Sequence, residues 1–256
     1  MITGTRLSSR HIVSVAGIVV ALSVFAASAG AQSMAVPAYF YPGSYWTQMD
    51  QSSSRPKIAV MNPSSGPGQS PDPNYVSAVH AAQAAGITVV GYVYTNYGSR
   101  SLAAVEADVT NYYNWYGVNG IFFDQASTNC SYSSYYAALN SFVKAKGGTA
   151  RTILNPGTQT SQCYVSDADV LLTFEGSDQT YVNSYSAPSW VSQYSAGHFW
   201  HVVYATPNSS AMTQAVSLSK RRDAGYVYVT PDTLPNPYDT LPTGSYWSGE
   251  LGAIGS

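Results

Sequence analysis

A chain of 256 residues is long enough for one sizeable buried core. Its formal net charge is −2 and no basic cluster is large enough for a nucleic-acid surface, so that partner class is excluded. Only 9% of the residues are charged while Tyr, Ser, Asn and Thr abound, a surface suited to an extracellular protein and to neutral, polyhydroxylated ligands.

Residues 1–31 read as a secretory signal peptide. Arg6 and Arg10 precede an apolar run from about Ile12 to Ala27, and Ala29-Gly30-Ala31 forms an A-x-A cleavage site before Gln32. For a membrane span the run is short and broken by serines. The expected product is a secreted domain, 32–256, with no membrane association. Losing Arg6 and Arg10 leaves nine of the 11 basic residues against 13 acids, a net charge of about −4.

Strands are predicted at 36–41, 57–61, 88–94, 120–124, 152–155, 170–174, 199–204 and 226–229. Several are continuous apolar or aromatic runs, as strands covered on both faces require. Between them lie helical patterns. The segment 74–85 is alanine-rich and stops at Gly86. Leu102, Val105, Val109, Tyr112 and Tyr116 recur at spacings of three and four, as do Tyr135, Leu139, Phe142 and Val143 before Gly147-Gly148. Met212, Val216 and Ser219 continue the pattern, and Lys220-Arg221-Arg222 fits a helix C-terminus. Eight strands with crossover helices predict a single-domain (β/α)8 barrel, an α/β fold of the TIM type, and a monomer. A doubly wound open sheet is the alternative; it needs fewer strands, and no G-x-G-x-x-G loop follows the first one. From about 231 a Pro/Gly-rich tail is expected to wrap the barrel.

In such barrels the reactive groups sit where strands end and βα loops begin. Those positions hold Tyr39, Asn62, Tyr92, Tyr94, Asn96, Asp124, Gln125, Asn155, Glu175, Tyr204 and Asp232. Asp124 and Glu175 each follow an apolar run directly, where a carboxylate is costly unless something uses or compensates it. Two carboxylates facing one cleft are what glycosidic cleavage requires: one protonated for the leaving oxygen, one ionised as nucleophile or base. Aromatic rings at the rim would stack on sugar faces, and amides would bind hydroxyls. Structural roles compete with these: Asp124 as a helix cap, Glu175 in an ion pair, and Asn155-Pro156-Gly157 as a plain turn. His198 and His201 lie three apart beside a strand and face opposite ways, so a shared metal is not expected, and no cofactor motif occurs. Cys130 and Cys163 would pair in an oxidising compartment; two buried free thiols are the alternative.

In order along the chain, "VPAYFYPG", "IAVMNPSSGPG", "GYVYTNYG", "GVNGIFFDQAS", "ILNPG" and "LLTFEGS" make it resemble the spherulin-4 family over about 36–230. The resemblance implies a secreted (β/α)8 glycoside hydrolase, with a galactosamine or N-acetylgalactosamine polysaccharide joined α-1,4 as substrate. It also implies that Asp124 and Glu175 are the strand-four and strand-six acids. Fungal members of that family carry an Asp-Glu pair at the end of strand four, where this chain has Asp124-Gln125. An amide cannot act as acid or base, so a mechanism that needs the second acid is closed to this chain. A non-catalytic carbohydrate-binding, cell-surface or spore-coat protein on the same barrel is the alternative.

Overall fold

The computed structural model of the protein describes residues 1, 2, 4, 32–54 and 56–256, so apart from three residues the leader read at 1–31 lies outside the described residues. Eight parallel strands close into a barrel in the order of the sequence. They are β1 (Ser33–Ala38), β2 (Ile58–Met61), β3 (Thr88–Tyr94), β4 (Gly120–Asp124), β5 (Arg151–Leu154), β6 (Val170–Ser177), β7 (Phe199–Tyr204) and β8 (Tyr226–Val229). The helices around them are α1 (Ser44–Gln51), α2 (Pro73–Ala84), α3 (Leu102–Tyr116), α4 (Ser133–Lys144), α5 (Asp178–Asn183), α6 (Ser209–Arg221) and α7 (Gly244–Gly255).

Local chemistry explains these elements. In α3 the Ser101 side chain accepts the Ala104 N–H at 3.3 Å, Gly117 turns left-handed at the C-terminus, and Val105, Val109, Tyr112 and Tyr116 form the buried stripe. That stripe docks on β3 at Gly91, where a Cβ would stand 2.5 Å from the Tyr112 ring. Inside the barrel Tyr92 stacks on Phe122, and Phe122 meets Trp200 edge-on, with centroids 6.2 and 5.8 Å apart. These rings plug the interior below the mouth.

Two departures from the expected pattern matter for the site. No α-helix lies between β5 and β6; a short 3₁₀ turn, Gln162–Tyr164, takes its place. Cys163 in that turn is disulfide-bonded to Cys130 in the β4–α4 loop. The second departure is in the tail, where 244–255 is helical despite four glycines. Burial of Trp247, Glu250 and Ile254 outweighs the poor propensity. The first strand also begins and ends three residues earlier than predicted, so Tyr39, Phe40 and Tyr41 lie beyond its end.

Candidate active site

Tyr92 and Asp124 project from the ends of β3 and β4, and the register, Tyr92 opposite Phe122 and Tyr94 opposite Asp124, points them into the barrel mouth. Glu175 reaches the same mouth through a bulge. On β7, Leu172 pairs with Trp200 and Phe174 with His201, which leaves Thr173 as the extra residue. Thr173 and Phe174 both turn outward: Thr173 Oγ1 lies 3.0 Å from His201 Nε2, and Phe174 packs on Tyr181 of α5. Strict alternation would have sent Glu175 to the helices; the extra residue returns it to the interior.

Asn155, just past β5, ties the two acids together. Its Nδ2 donates to Asp124 Oδ1 at 2.9 Å and to Glu175 Oε2 at 2.6 Å. The two bond lengths cap the separation of those oxygens at about 5.5 Å. Asn155 is itself fixed: its Oδ1 accepts the Gly157 N–H at 2.8 Å and its carbonyl accepts the Ala126 N–H at 2.8 Å. Each acid also receives a phenol. Tyr92 Oη donates to Asp124 Oδ2 at 2.7 Å and Tyr238 Oη to Glu175 Oε1 at 2.7 Å. Tyr39 stands edge-on to both phenol rings, 5.5 Å from Tyr92 and 5.6 Å from Tyr238.

Burial pushes the Asp124 carboxyl above the usual range, opposed by the donors Tyr92, the Gln125 backbone N–H and Asn155. Burial raises Glu175 as well, opposed by Tyr238 and Asn155 and reinforced by the charge of Asp124. An open cleft of about 280 Å³ lies over the pair, walled by Tyr97, Gln125, Tyr204 and Leu234 and floored at Pro156 and Gly157. Among the described residues no lysine or arginine lines it.

The other residues singled out from the sequence fall into two groups. Gln125 and Tyr204 line the cleft beside the acids, and Tyr94 stands on the rim with the Arg100 guanidinium 4.2 Å over its ring. Asn96 is exposed on the loop after β3. Asn62 and Asp232 are outside the cleft lining. Asn62 accepts the Gly66 N–H in its own loop at 3.2 Å. Asp232 accepts from Thr240 Oγ1, and its carbonyl takes the Ala205 N–H at 2.7 Å. Both hydrogens of the Asn155 amide are spent on the acids, which leaves them none to offer a sugar hydroxyl. Sequence reading overlooked Tyr97, Leu234 and Tyr238. The last two come from the Pro-rich segment after β8, where no periodicity marks a position. Tyr97 follows three residues that were read as site positions, Tyr92, Tyr94 and Asn96, and only its unusual backbone sets it apart.

His201 is fully buried between Tyr181 Oη at 2.7 Å and Thr173, and burial followed by the Arg222 charge lowers its pKa to about 3. His198 faces the other side of the chain, with Nδ1 3.1 Å from the Asp169 carbonyl.

Comparison with known proteins adds four findings. The profile of spherulation-specific family 4 matches residues 33–254. Spherulin-4 of Physarum polycephalum is 35% identical over 232 residues, covering 86% of this chain and 69% of that protein. Among solved structures, Sph3 of Aspergillus clavatus in complex with GalNAc superposes with a TM-score of 0.75 at 25% identity, over 89% of this chain and 99% of that one. A chitinase from Chromobacterium violaceum shares the barrel alone, with a TM-score of 0.57 at 11% identity over 88% and 99% of the two chains. The barrel is thus of a type found in carbohydrate-active proteins.

Proposed function

Because this chain belongs to spherulation-specific family 4, we propose that it is a secreted glycoside hydrolase acting on a polysaccharide of galactosamine or N-acetylgalactosamine. One observation carries the reading: Asp124 and Glu175 share a single cleft and a single bridging amide, with facing oxygens within about 5.5 Å. The GalNAc bound to Sph3 supports an amino-sugar substrate. A cleft lined by two carboxyls and no cation would also attract the ammonium groups of deacetylated units. Export is supported by the disulfide, and none of the described helices is long and apolar enough to cross a membrane.

The roles follow from the donors. Asp124 has three that favour its ionised form, Glu175 has two, and the charge of Asp124 holds a proton on Glu175. Glu175 therefore gives its proton to the glycosidic oxygen as the bond to the anomeric carbon breaks, while an Asp124 oxygen bonds that carbon. Glu175, now ionised, takes a proton from water; the resulting hydroxide attacks the same carbon and frees Asp124. Two displacements give net retention, the outcome associated with carboxyls about 5–5.5 Å apart. Gln125 takes no part in proton transfer and is placed to bind a sugar hydroxyl.

Asp124→Asn and Glu175→Gln should each abolish release of oligosaccharides from α-1,4-linked galactosamine polymers, with products analysed by mass. Both variants should melt no lower than wild type at neutral pH, since the raised acids are a stability cost there. Proton NMR of the first product should show the anomeric configuration kept. Cleavage retained by either variant would remove the assignment. Gln125 favours a second reading, a carbohydrate-binding protein without catalysis. Retardation on a polysaccharide affinity gel, with no shortening of the polymer at any pH, would select it.

A further inference from the structure

The loop after β3 holds three consecutive residues in the left-handed region: Asn96 at φ 48°, Tyr97 at φ 56° and Gly98 at φ 85°. Glycine adopts this region freely, whereas a bulky residue such as tyrosine does so only when its surroundings force it. Here they do. The Tyr97 N–H donates to the Gln125 carbonyl at 2.7 Å, and Thr95 Oγ1 donates to the same carbonyl at 2.8 Å. Gly98 is wedged against Tyr132, whose ring would lie 2.5 Å from a Cβ there. Gln125 is itself left-handed, at φ 50°. The strained turn thus grips the residue that follows Asp124.

The strain gains no burial for the ring. Tyr97 is 55% exposed, its hydroxyl meets no partner among the described residues, and it walls the cleft that holds Asp124 and Glu175. On the same cleft Leu234 is 64% exposed. A large aromatic side chain held in an unfavourable backbone, open to solvent and beside the reacting groups is explained by what it touches when the cleft is filled.

We propose that Tyr97 is a specificity-determining residue: its ring is the stacking platform for the sugar adjoining the scissile linkage. The inference rests on the glycosidase reading above and deepens it by assigning the side chain on which that sugar stacks. In a galacto-configured pyranose the axial 4-oxygen leaves the C3, C4 and C5 hydrogens together on one apolar face, which packs flat on an aromatic ring. A gluco-configured ring divides its hydrogens between both faces and stacks less well on one.

The test uses the inactive Glu175→Gln protein, so that ligand is not consumed, and a hexamer of α-1,4-linked N-acetylgalactosamine as the probe in calorimetry. Adding Tyr97→Gly or Tyr97→Ala should weaken binding by about tenfold, while Tyr97→Phe and Tyr97→Trp should keep it. The glycine variant should melt at or above the parent temperature, because glycine relaxes the left-handed backbone. Lost affinity with an undiminished melting temperature is an outcome that a merely structural tyrosine would not give. Unchanged affinity in Tyr97→Gly, or equal loss in Tyr97→Phe and Tyr97→Gly, would overturn the platform and leave the glycosidase reading standing. If the Glu175→Gln parent itself fails to bind the hexamer, the amino-sugar reading fails, and with it the ligand assigned to Tyr97.

Discussion

A single amide organises the chemistry at the residue scale. Asn155 gives one hydrogen to each acid, so it sets both their spacing and their relative proton affinity. Asn155→Ala should lower kcat by about 100-fold with little change in KM, the loss typical of one positioned donor. The phenols separate the two acids. Hydrogen bonds from Tyr92 and Tyr238 favour the ionised carboxylates, and removing a donor raises the pKa of its partner. Tyr92→Phe should therefore move the acidic limb of the pH–rate profile to higher pH, since in the proposed mechanism Asp124 acts without its proton. Tyr238→Phe should move the alkaline limb to higher pH, since the same mechanism needs Glu175 to keep one. The opposite assignment of roles would exchange the two limbs. Asp124 and Glu175 stood out in the sequence because each is an acid set straight after an apolar run. Asn155 did not stand out as a bridge, because a turn-forming Asn-Pro-Gly looks the same whatever its amide touches. Tyr238 carried no signal at all, since its role depends on a distant strand.

Among the elements, the β5–β6 crossover is the weak point of the barrel, and covalent chemistry replaces the missing helix. The disulfide joins the loop that follows Asp124 to the loop that follows Asn155, over a sequence separation of 33. Two further contacts follow the same seam: Ser161 Oγ to the Thr128 carbonyl at 2.6 Å and Tyr164 Oη to the Asn129 carbonyl at 2.5 Å. The double variant Cys130→Ser, Cys163→Ser should lose about 3–4 kcal/mol in urea unfolding. Activity should fall further than the unfolded fraction accounts for, because Tyr132, two residues from Cys130, wedges Gly98. The eight strands were legible because buried parallel strands read as apolar runs. The bulge was not: "LLTFEGS" gives no hint that Thr173 and Phe174 turn outward together, a choice made by His201 and the rings of Tyr181 and Tyr185.

Across the whole molecule, two buried groups set opposite limits on the pH range of the fold. His201 titrates near 3 when folded, well below its ordinary 6.5, so its contribution is full above about pH 6.5 and is lost as pH falls toward 3. Substituting glutamine for His201 should flatten that acid decline in melting temperature. Glu250 works in the other direction. It is fully buried on α7, with Oε1 accepting the Val229 N–H at 2.7 Å, and burial raises its pKa well above normal. The folded chain keeps a proton that the unfolded chain releases, so stability falls as pH rises past about 4.5. Glu250→Gln should melt with wild type at pH 4 and above it at pH 8, as followed by differential scanning fluorimetry. Equal melting at both values would mean the carboxyl is relieved in another way. None of this was visible in the sequence, where the stretch from about 231 reads only as a Pro/Gly-rich tail that wraps the barrel.

Leu234 on the cleft and Tyr238, which holds Glu175, come after all eight strands in chain order, and their segment is fastened back to the loop after β1 by the Tyr39 N–H on the Tyr238 carbonyl at 3.2 Å. A polypeptide laid down in this order acquires both acids and most of the cleft lining before Leu234 and Tyr238. On the glycosidase reading, a chain halted or clipped ahead of that arm would carry both acids yet lack the phenol that holds Glu175, and would be impaired.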